Sequence, residues 1–321
     1  MEANYSHLLS DPVFKLVGRV ADDMGRSAYV VGGYVRDLFL GIPSKDIDFV
    51  TVGSGIELAR SVANAIGKNA HLATFANYGT AQVSAPGIDL EFVGARKESY
   101  SRQSRNPVVE DGTLTDDLNR RDFTINAMAL SVNSEGFGAL VDLFDGMGDL
   151  ERKVIRTPLD PDTTFSDDPL RMLRAVRFAT RLGFTIHPET FSSMKRNASR
   201  MEIITRERIN DEMMKIMRTR RPSVGIRILD MAGLLPYVLP DLVALKGVET
   251  REGKGHKDNF EHTLKVLDNV AEASDDVWLR WAALFHDIAK PACKRWDEKL
   301  GWTFHAHNIV GEKMVGRIFK K

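Results

Sequence analysis

The stretch Val30-Val31-Gly32-Gly33-Tyr34-Val35-Arg36-Asp37, followed by Asp46-Ile47-Asp48-Phe49-Val50-Thr51-Val52, decides how this chain reads. A β-branched run stopped by two glycines and continued by a helical pattern is a strand, a tight turn and a helix start. Glycines let a backbone approach a phosphate, the helix N-terminus offers free N–H groups, and Arg36 adds a forked charge. The plain alternative is a tight connection without a ligand. Asp46 and Asp48 lie at i and i+2 of an extended segment, so both project from one face, about 7 Å apart, while Ile47 turns into the core. Carboxylates so placed can hold two hard cations such as Mg²⁺, which suits activation of a hydroxyl and displacement within a triphosphate. A polar strand edge with Lys45 as ion partner is the bland alternative. Asp89-Leu90-Glu91 repeats the spacing, offering Glu91 or Asp89 as a third carboxylate, or merely solvent-facing acids on an edge strand.

Outward from this stretch, short strands at 28–31, 46–52 and 88–93, helices at 34–40 and 56–66 and a hairpin over 71–84 give the first 145 or so residues a mixed α/β character. Residues 96–119 are polar and poor in apolar periodicity, and are expected to form a long mobile loop of the kind that is usually functional. From Asp167 onward the pattern turns helical, with helices expected at 169–181, 188–196, 206–218, 223–231, 259–273 and 277–290. The charged, Gly-rich stretch 247–257 is the best linker.

Composition bounds the rest. A chain of 321 residues is about twice the usual domain size, so two or three domains are expected. With 43% apolar and 27% charged residues it is an ordinary globular chain, which excludes disordered and collagen-like classes. Lys plus Arg and Asp plus Glu are equal at 44 each, which argues against a polyanion-coating protein, although a local basic stripe can still bind nucleic acid. The single cysteine, Cys293, excludes an internal disulfide and a cysteine-based zinc cluster and is compatible with a reducing compartment. No run of about eighteen apolar residues suggests a membrane span, and residues 1–11 lack a basic start and an apolar signal core. A cytoplasmic protein with no membrane partner is the expectation.

Two further stretches carry chemistry. In Arg120-Arg121-Asp122-Phe123-Thr124-Ile125-Asn126-Ala127, Asp122 either caps the element that follows or binds a ribose hydroxyl, with Arg121 on a phosphate or ribose. In Asp167-Asp168-Pro169-Leu170-Arg171-Met172-Leu173-Arg174-Ala175-Val176-Arg177-Phe178, helical spacing gathers Arg171, Arg174, Arg177 and Arg181 in one sector, with Met172, Leu173, Val176 and Ala179 facing a core. Asp168 and Arg171 stand one turn apart. A carboxylate acceptor beside a guanidinium fork complements the amine and ring nitrogen of cytosine and adenine and mismatches uracil and guanine. A solvated face with an i, i+3 salt bridge is the alternative. Residues 171–221 hold about thirteen Lys or Arg against about five acids, a surface on which a phosphate backbone can lie.

These stretches, in this order, resemble the class II nucleotidyltransferases of the polymerase-β-like superfamily, that is, bacterial CCA-adding tRNA nucleotidyltransferases and their poly(A) polymerase relatives. The resemblance covers roughly residues 28–215. It implies an α+β fold: an N-terminal mixed-sheet nucleotidyltransferase head (1–150), an all-helical neck and body (151–246), and a partial helical HD-like module (247–321). It implies that Gly32, Gly33 and Arg36 hold the triphosphate, Asp46, Asp48 and Glu91 the metals, and Arg121 and Asp122 the ribose. Asp168 and Arg171 would read the base, Arg174 and Arg177 would serve the phosphates or the RNA, and Arg208 and Glu212 would brace the neck. Phe144-Asp145-Gly146-Met147-Gly148-Asp149-Leu150 resembles the hinge between head and neck. In the family a shortened loop goes with enzymes that add only C, so the full length of 96–119 implies CCA addition to tRNA from CTP and ATP. A poly(A) polymerase or A-adding enzyme shares every motif.

Glu261-His262-Thr263-Leu264 and Leu284-Phe285-His286-Asp287-Ile288-Ala289-Lys290-Pro291 resemble the HD metal-dependent phosphohydrolase module, with His262, His286 and Asp287 as its metal site. The module also uses a late aspartate. The acids after Asp287 (Asp297, Glu298 and Glu312) do not fall in that setting, while His305 and His307 can contribute.

Overall fold

The computed structural model describes residues 4–101, 104–251, 254–255 and 258–320. By its internal contacts the chain divides into two compact units, Met1–Asp167 and Asp168–Lys321.

The first unit is built on a mixed sheet. Its strands are β1 (Ala28–Val31), β2 (Asp46–Thr51), β3 (His71–Phe75), β4 (Thr80–Ala85) and β5 (Ile88–Gly94), with β8 (Met128–Ser131) and β9 (Leu140–Asp142) beyond a hairpin of β6 (Arg96–Ser101) and β7 (Ser104–Asp111). Among the described residues the sheet runs β3-β4-β5-β2-β1-β8-β9. β2 and β5 are parallel and β1 is antiparallel to both its neighbours, β2 and β8. Alternation along β2 sends Ile47 and Phe49 to one face, where Phe49 stacks on Phe92 of β5 at 5.1 Å and Phe14 tilts onto it at 6.2 Å. Helices α1 (Pro12–Asp23) and α3 (Gly55–Ile66) cover this core; Asp11 caps the first through Val13 N and Ser54 the second through Glu57 N. On the opposite face Val31, Val50, Ala95, Ala129 and Leu118 form a second cluster, joined by Leu114 and Phe144. Helix α2 (Gly33–Phe39) leaves the glycine turn at the end of β1, and α5 (Gly146–Arg152) and α6 (Pro161–Asp167) close the unit.

Residues 96–119 correct the expectation of a loop: β6 and β7 pair only with each other, and α4 (Leu114–Asn119) follows. The sequence of these strands shows no period-2 apolar pattern to announce them. Their register instead sets Arg96 against Asp111 and Lys97 against Glu110. Residues 102 and 103 lie outside the described residues. α4 starts on a capping box in which Thr113 and Asp116 exchange side-chain and backbone bonds.

The second unit is helical: α7 (Leu170–Leu182), α8 (Pro188–Asn197), α9 (Arg206–Met217), α10 (Pro222–Met231), the short α11 (Leu235–Val238) and α12 (Pro240–Val243), α13 (Asn259–Ala273), α14 (Val277–Phe285), α15 (Lys290–Cys293) and α16 (His307–Ile318). Buried Arg280 of α14 donates to the carbonyls of Met217, Thr219, Ala271 and Ser274, tying α9, α13 and α14 together. The helix expected over 277–290 stops at Phe285. A turn carries His286 and Asp287, and Pro291, which lacks an N–H, opens the next helix. In the expected linker, Thr250–Arg251 and Lys254–Gly255 pair as a minimal antiparallel ladder; residues 252–253 and 256–257 lie outside the described residues. Among the described residues no helix is long and apolar enough to cross a membrane.

Candidate functional site

The sheet brings the acidic residues of the first unit together. In the parallel pair, Asp46 faces Asp89 and Asp48 faces Glu91, so four carboxylates share one face of two neighbouring strands. They do not play equal parts. Asp89 accepts from Ser84 Oγ at 2.6 Å, whereas Asp48 and Glu91 repel each other closely enough to be felt. Burial, then Glu91 and Asp46, push the Asp48 carboxyl up to about 6, against the opposing charge of Arg121. Of the two acids offered by Asp89-Leu90-Glu91, Glu91 is thus the one coupled to Asp48. Oxygen donors carrying uncompensated negative charge fit a hard divalent cation, whose charge would relieve that repulsion.

The glycine turn lies against this face. Gly32 has φ +73, and a Cβ there would stand 2.6 Å from Arg121 Nη1 and 3.7 Å from Asp48 Oδ2. Glycine is therefore required both by its left-handed backbone and by the approach of Arg121. Arg36 is 3% exposed. Its Nε and Nη2 bond Asp37 at 2.8 and 2.7 Å, and Nη1 donates to Asn126 Oδ1 at 2.6 Å. A Cβ on Gly33 would lie 3.5 Å from Arg36 Nη2, so the charge sits directly beneath the turn.

Arg121 and Asp122 enter from α4 and the turn that follows. Asp122, buried, accepts from Phe123 N and Asn126 Nδ2, both at 2.9 Å, and so orders the short 3₁₀ turn Thr124–Asn126. It is not a helix cap, since the N-cap of this turn is Phe123 and carries no side-chain cap bond; the Asp122 carboxyl is instead linked through Asn126 to Arg36. Asp149 is 1% exposed, accepts from Thr124 Oγ1 at 2.8 Å and pairs with Arg152 and Arg156, clamping this turn from α5. Three residues escaped the sequence reading: Asn126, Asp149 and Asp117. All are polar and buried, a state that a sequence shows only through the apolar residues around them.

In the second unit, α7 and α9 are joined by two ion pairs. Asp168 accepts the fork of Arg208, with Nη1 at 3.2 Å and Nη2 at 2.8 Å. Buried Arg177 pairs with buried Glu212 at 2.6 Å and lies 4.1 Å over the Phe178 ring. Arg208 and Glu212 thus brace helices as expected, and their partners are two residues expected to serve the nucleotide. Arg171 and Arg174 are half-buried and Arg181 is exposed, so the arginine sector does not face water evenly. Arg177 departs from it because α9 packs over the same turn of α7.

A second cluster forms at the turn after α14. His262 Nε2, His286 Nε2 and Asp287 Oδ2 approach one another, with Oδ2 3.1 Å from His286 and 3.7 Å from His262. Among the described residues this is the one group whose imidazole and carboxylate atoms all lie within 4.8 Å. His307, at the start of α16, adds its Nε2 at 3.6 Å from Asp287 Oδ1. Carbonyls of Ala283 and Phe304 lie 2.7 and 2.8 Å from Nδ1 of His286 and His307, so a proton on each Nδ1 turns each Nε2 lone pair toward the carboxylate. Asp287 Oδ2 is buried and also pairs with Lys290 Nζ at 2.7 Å. Imidazole lone pairs facing a buried carboxylate fit a divalent metal held by nitrogen and oxygen.

Three family models match the chain: the poly A polymerase head domain over residues 28–156, the probable RNA and SrmB-binding site of polymerase A over 183–245, and the HD domain over 259–321. The A-adding tRNA nucleotidyltransferase of Geobacter sulfurreducens is 40% identical over 258 residues, covering 79% of this chain and 27% of that protein. The chain spans about a quarter of the length of the curated relatives it matches. A solved tRNA nucleotidyltransferase, complexed with a primer tRNA and an incoming ATP analog, superposes with a TM-score of 0.66 at 31% identity, covering 95% of this chain and 84% of that one. The Thermotoga maritima CCA-adding enzyme complexed with tRNA gives a TM-score of 0.71 at 26% identity, covering 98% and 73%. On the match to the poly A polymerase head and the 31% identity to a solved tRNA nucleotidyltransferase, this chain belongs to the tRNA nucleotidyltransferase family with the poly(A) polymerase-type head.

Proposed function

We propose that this chain transfers a nucleoside monophosphate from a nucleoside triphosphate to the 3′ end of tRNA, with release of pyrophosphate. The observation that carries the reading is the register of β2 and β5, which sets Asp48 beside Glu91 on the face that also receives Gly32 and Arg121. Asp46 and Asp48, with Glu91, would hold Mg²⁺, which when bound supplies charge to the phosphates and lowers the pKa of an attacking hydroxyl. The rest falls to the chain. Gly32 and Gly33 admit the triphosphate to the backbone, with Arg36 beneath them, and Arg121 and Asp122 orient the ribose end. Asp168 and Arg171 would read the base and Arg174 would serve the phosphates or the RNA, while Arg177, buried against Glu212, would contribute by holding α7 on α9. Positioning and electrostatics of this kind need no side-chain nucleophile. The division into head, neck and body, and HD-like module at residues 150 and 246 belongs to the same proposal, as does action in the cytoplasm.

AMP addition is the first reading of the base, because the curated relatives are named for it. Full CCA addition, with CTP used before ATP, is the second; the full length of residues 96–119, whose described residues form β6, β7 and α4, sets both apart from an enzyme that adds only C. Incubation with each NTP singly separates them. AMP added only to tRNA already ending in CC supports the first reading, and CMP added to tRNA lacking its 3′ end supports the second. Asp46→Ala or Asp48→Ala abolishes incorporation by either; Mg²⁺-dependent turnover in both variants would refute the proposal. For the histidine cluster, the approach of His262, His286 and Asp287 within 4.8 Å of one another favours a separate metal-dependent phosphohydrolase activity. Hydrolysis of a phosphate ester that survives Asp48→Ala and is lost in His286→Ala is the outcome expected of it.

A further inference from the structure

Asp117 belongs to no motif considered above, yet it is fully buried on α4 and meets two arginines at once. Its Oδ1 accepts from Arg120, with Nε at 2.9 Å and Nη2 in a short contact. Its Oδ2 accepts from Arg121, with Nε at 3.1 Å and Nη2 at 2.8 Å. Burial alone would raise this carboxyl, but the charges and hydrogen bonds of Arg121 and Arg120 hold it below the ordinary aspartate value. One arginine would satisfy the carboxylate. The second gains something else: a guanidinium gripped along one edge so that its plane is fixed.

The other edge of Arg121 is the useful one. Nη1 donates to Asn126 O at 3.4 Å and packs against Gly32, whose missing Cβ would otherwise occupy its place, within reach of Asp48. Arginine is rich in rotamers, and that freedom must be restrained before such a side chain can present a donor at a fixed point. The restraint runs from the core outward. Leu114 and Leu118 anchor α4 on the sheet beside Val50, the Thr113 capping box fixes its first turn, and Asp117 transmits that position to Arg121.

We infer that Asp117 is a positioning residue for nucleotidyl transfer: it fixes the Arg121 guanidinium at the glycine turn, where the incoming nucleoside triphosphate is proposed to bind. The inference rests on the reading of the head as a nucleotidyltransferase. Misplacing a positioned group by about 1 Å costs roughly a hundredfold, so Asp117→Asn is expected to lower kcat/KM for ATP by about 10- to 100-fold. In an Arg121→Lys background the same change is expected to cost less than about threefold, since the fork it orients is already gone. A full further loss in that background, as expected of a residue that merely supports the fold, would overturn the inference. Arg120→Ala, which frees only Oδ1, is expected to stay within about threefold of wild type; a loss equal to that of Asp117→Asn would also overturn it. Should Asp117→Asn fail to fold, the wild-type protein still decides. The Arg121 Nε–H resonance, assigned by its absence in Arg121→Lys, is expected to exchange slowly with water and to shift on adding a non-hydrolysable ATP analogue with Mg²⁺. Fast exchange or no shift would sink the idea. Wild-type protein that adds neither AMP nor CMP overturns the functional reading and the inference together, whereas active wild type with additive losses overturns the inference alone.

Discussion

Asp48 carries the cost of its own site. Its ordinary value is 3.8, and burial beside Glu91 raises it to about 6 in the folded chain, so between these values the folded state binds the extra proton. Stability from this group is therefore greatest in acid and falls as pH rises from about 4 to about 6. Above that window Asp48→Asn is expected to be more stable than wild type in EDTA, by up to about 3 kcal/mol, with the gap closing near pH 4. Mg²⁺ should narrow the gap at pH 7.5 by stabilising the wild type. Thermal scans across pH, with and without the cation, check both statements; a variant that melts lower than wild type at pH 7.5 in EDTA contradicts them. Asp46 and Asp48 were legible in the sequence because period-2 spacing alone puts them on one face. Asn126, Asp149 and Asp117 were not, because a buried polar residue is explained only by partners that are distant in the chain or hidden by packing.

At the level of elements, the α7 and α9 pair holds a buried ion pair, Arg177 with Glu212. Removing one partner strands a desolvated charge. Glu212→Ala is expected to destabilise by about 3–5 kcal/mol in urea unfolding, while Arg177→Met combined with Glu212→Met costs far less. Near-equal losses in the two would argue against a desolvated pair. Thr113→Ala removes the capping box of α4 and is expected to cost about 1 kcal/mol, read as faster amide exchange over residues 114–119. The elements with an apolar stripe, such as α7 and α13, were readable to within a residue or two. The β6–β7 hairpin was not, since its sequence lacks apolar alternation and its register sets Arg96 against Asp111 and Lys97 against Glu110. The break in the helix expected over 277–290 is local chemistry of a different kind: Pro291 was visible, but the turn at His286 and Asp287 follows from packing that an apolar run does not report.

Over the whole molecule, the carboxylate site draws its residues from the first unit and the histidine cluster draws its residues from the second. Losses at the two are accordingly expected to separate. His262→Ala should remove about one equivalent of bound divalent transition metal, measured by elemental analysis, and leave nucleotide incorporation within about twofold. Asp46→Ala should do the reverse. Coupled loss of both properties in either variant would show that the sites are not independent.

The sequence by itself determined the class of fold and its local pieces: glycines that permit a turn, carboxylates that share a pleat, and, in the helical unit, an arginine-rich helix, all fixed by residue type and spacing. Only the tertiary structure decided which acid sits beside Asp48, that Arg36 is buried beneath the turn, that Asp168 and Arg177 are gripped by Arg208 and Glu212, and that His307 joins Asp287. Those outcomes depend on strand register and helix packing, which bring together groups far apart in the chain and bury charges whose partners no spacing rule can name.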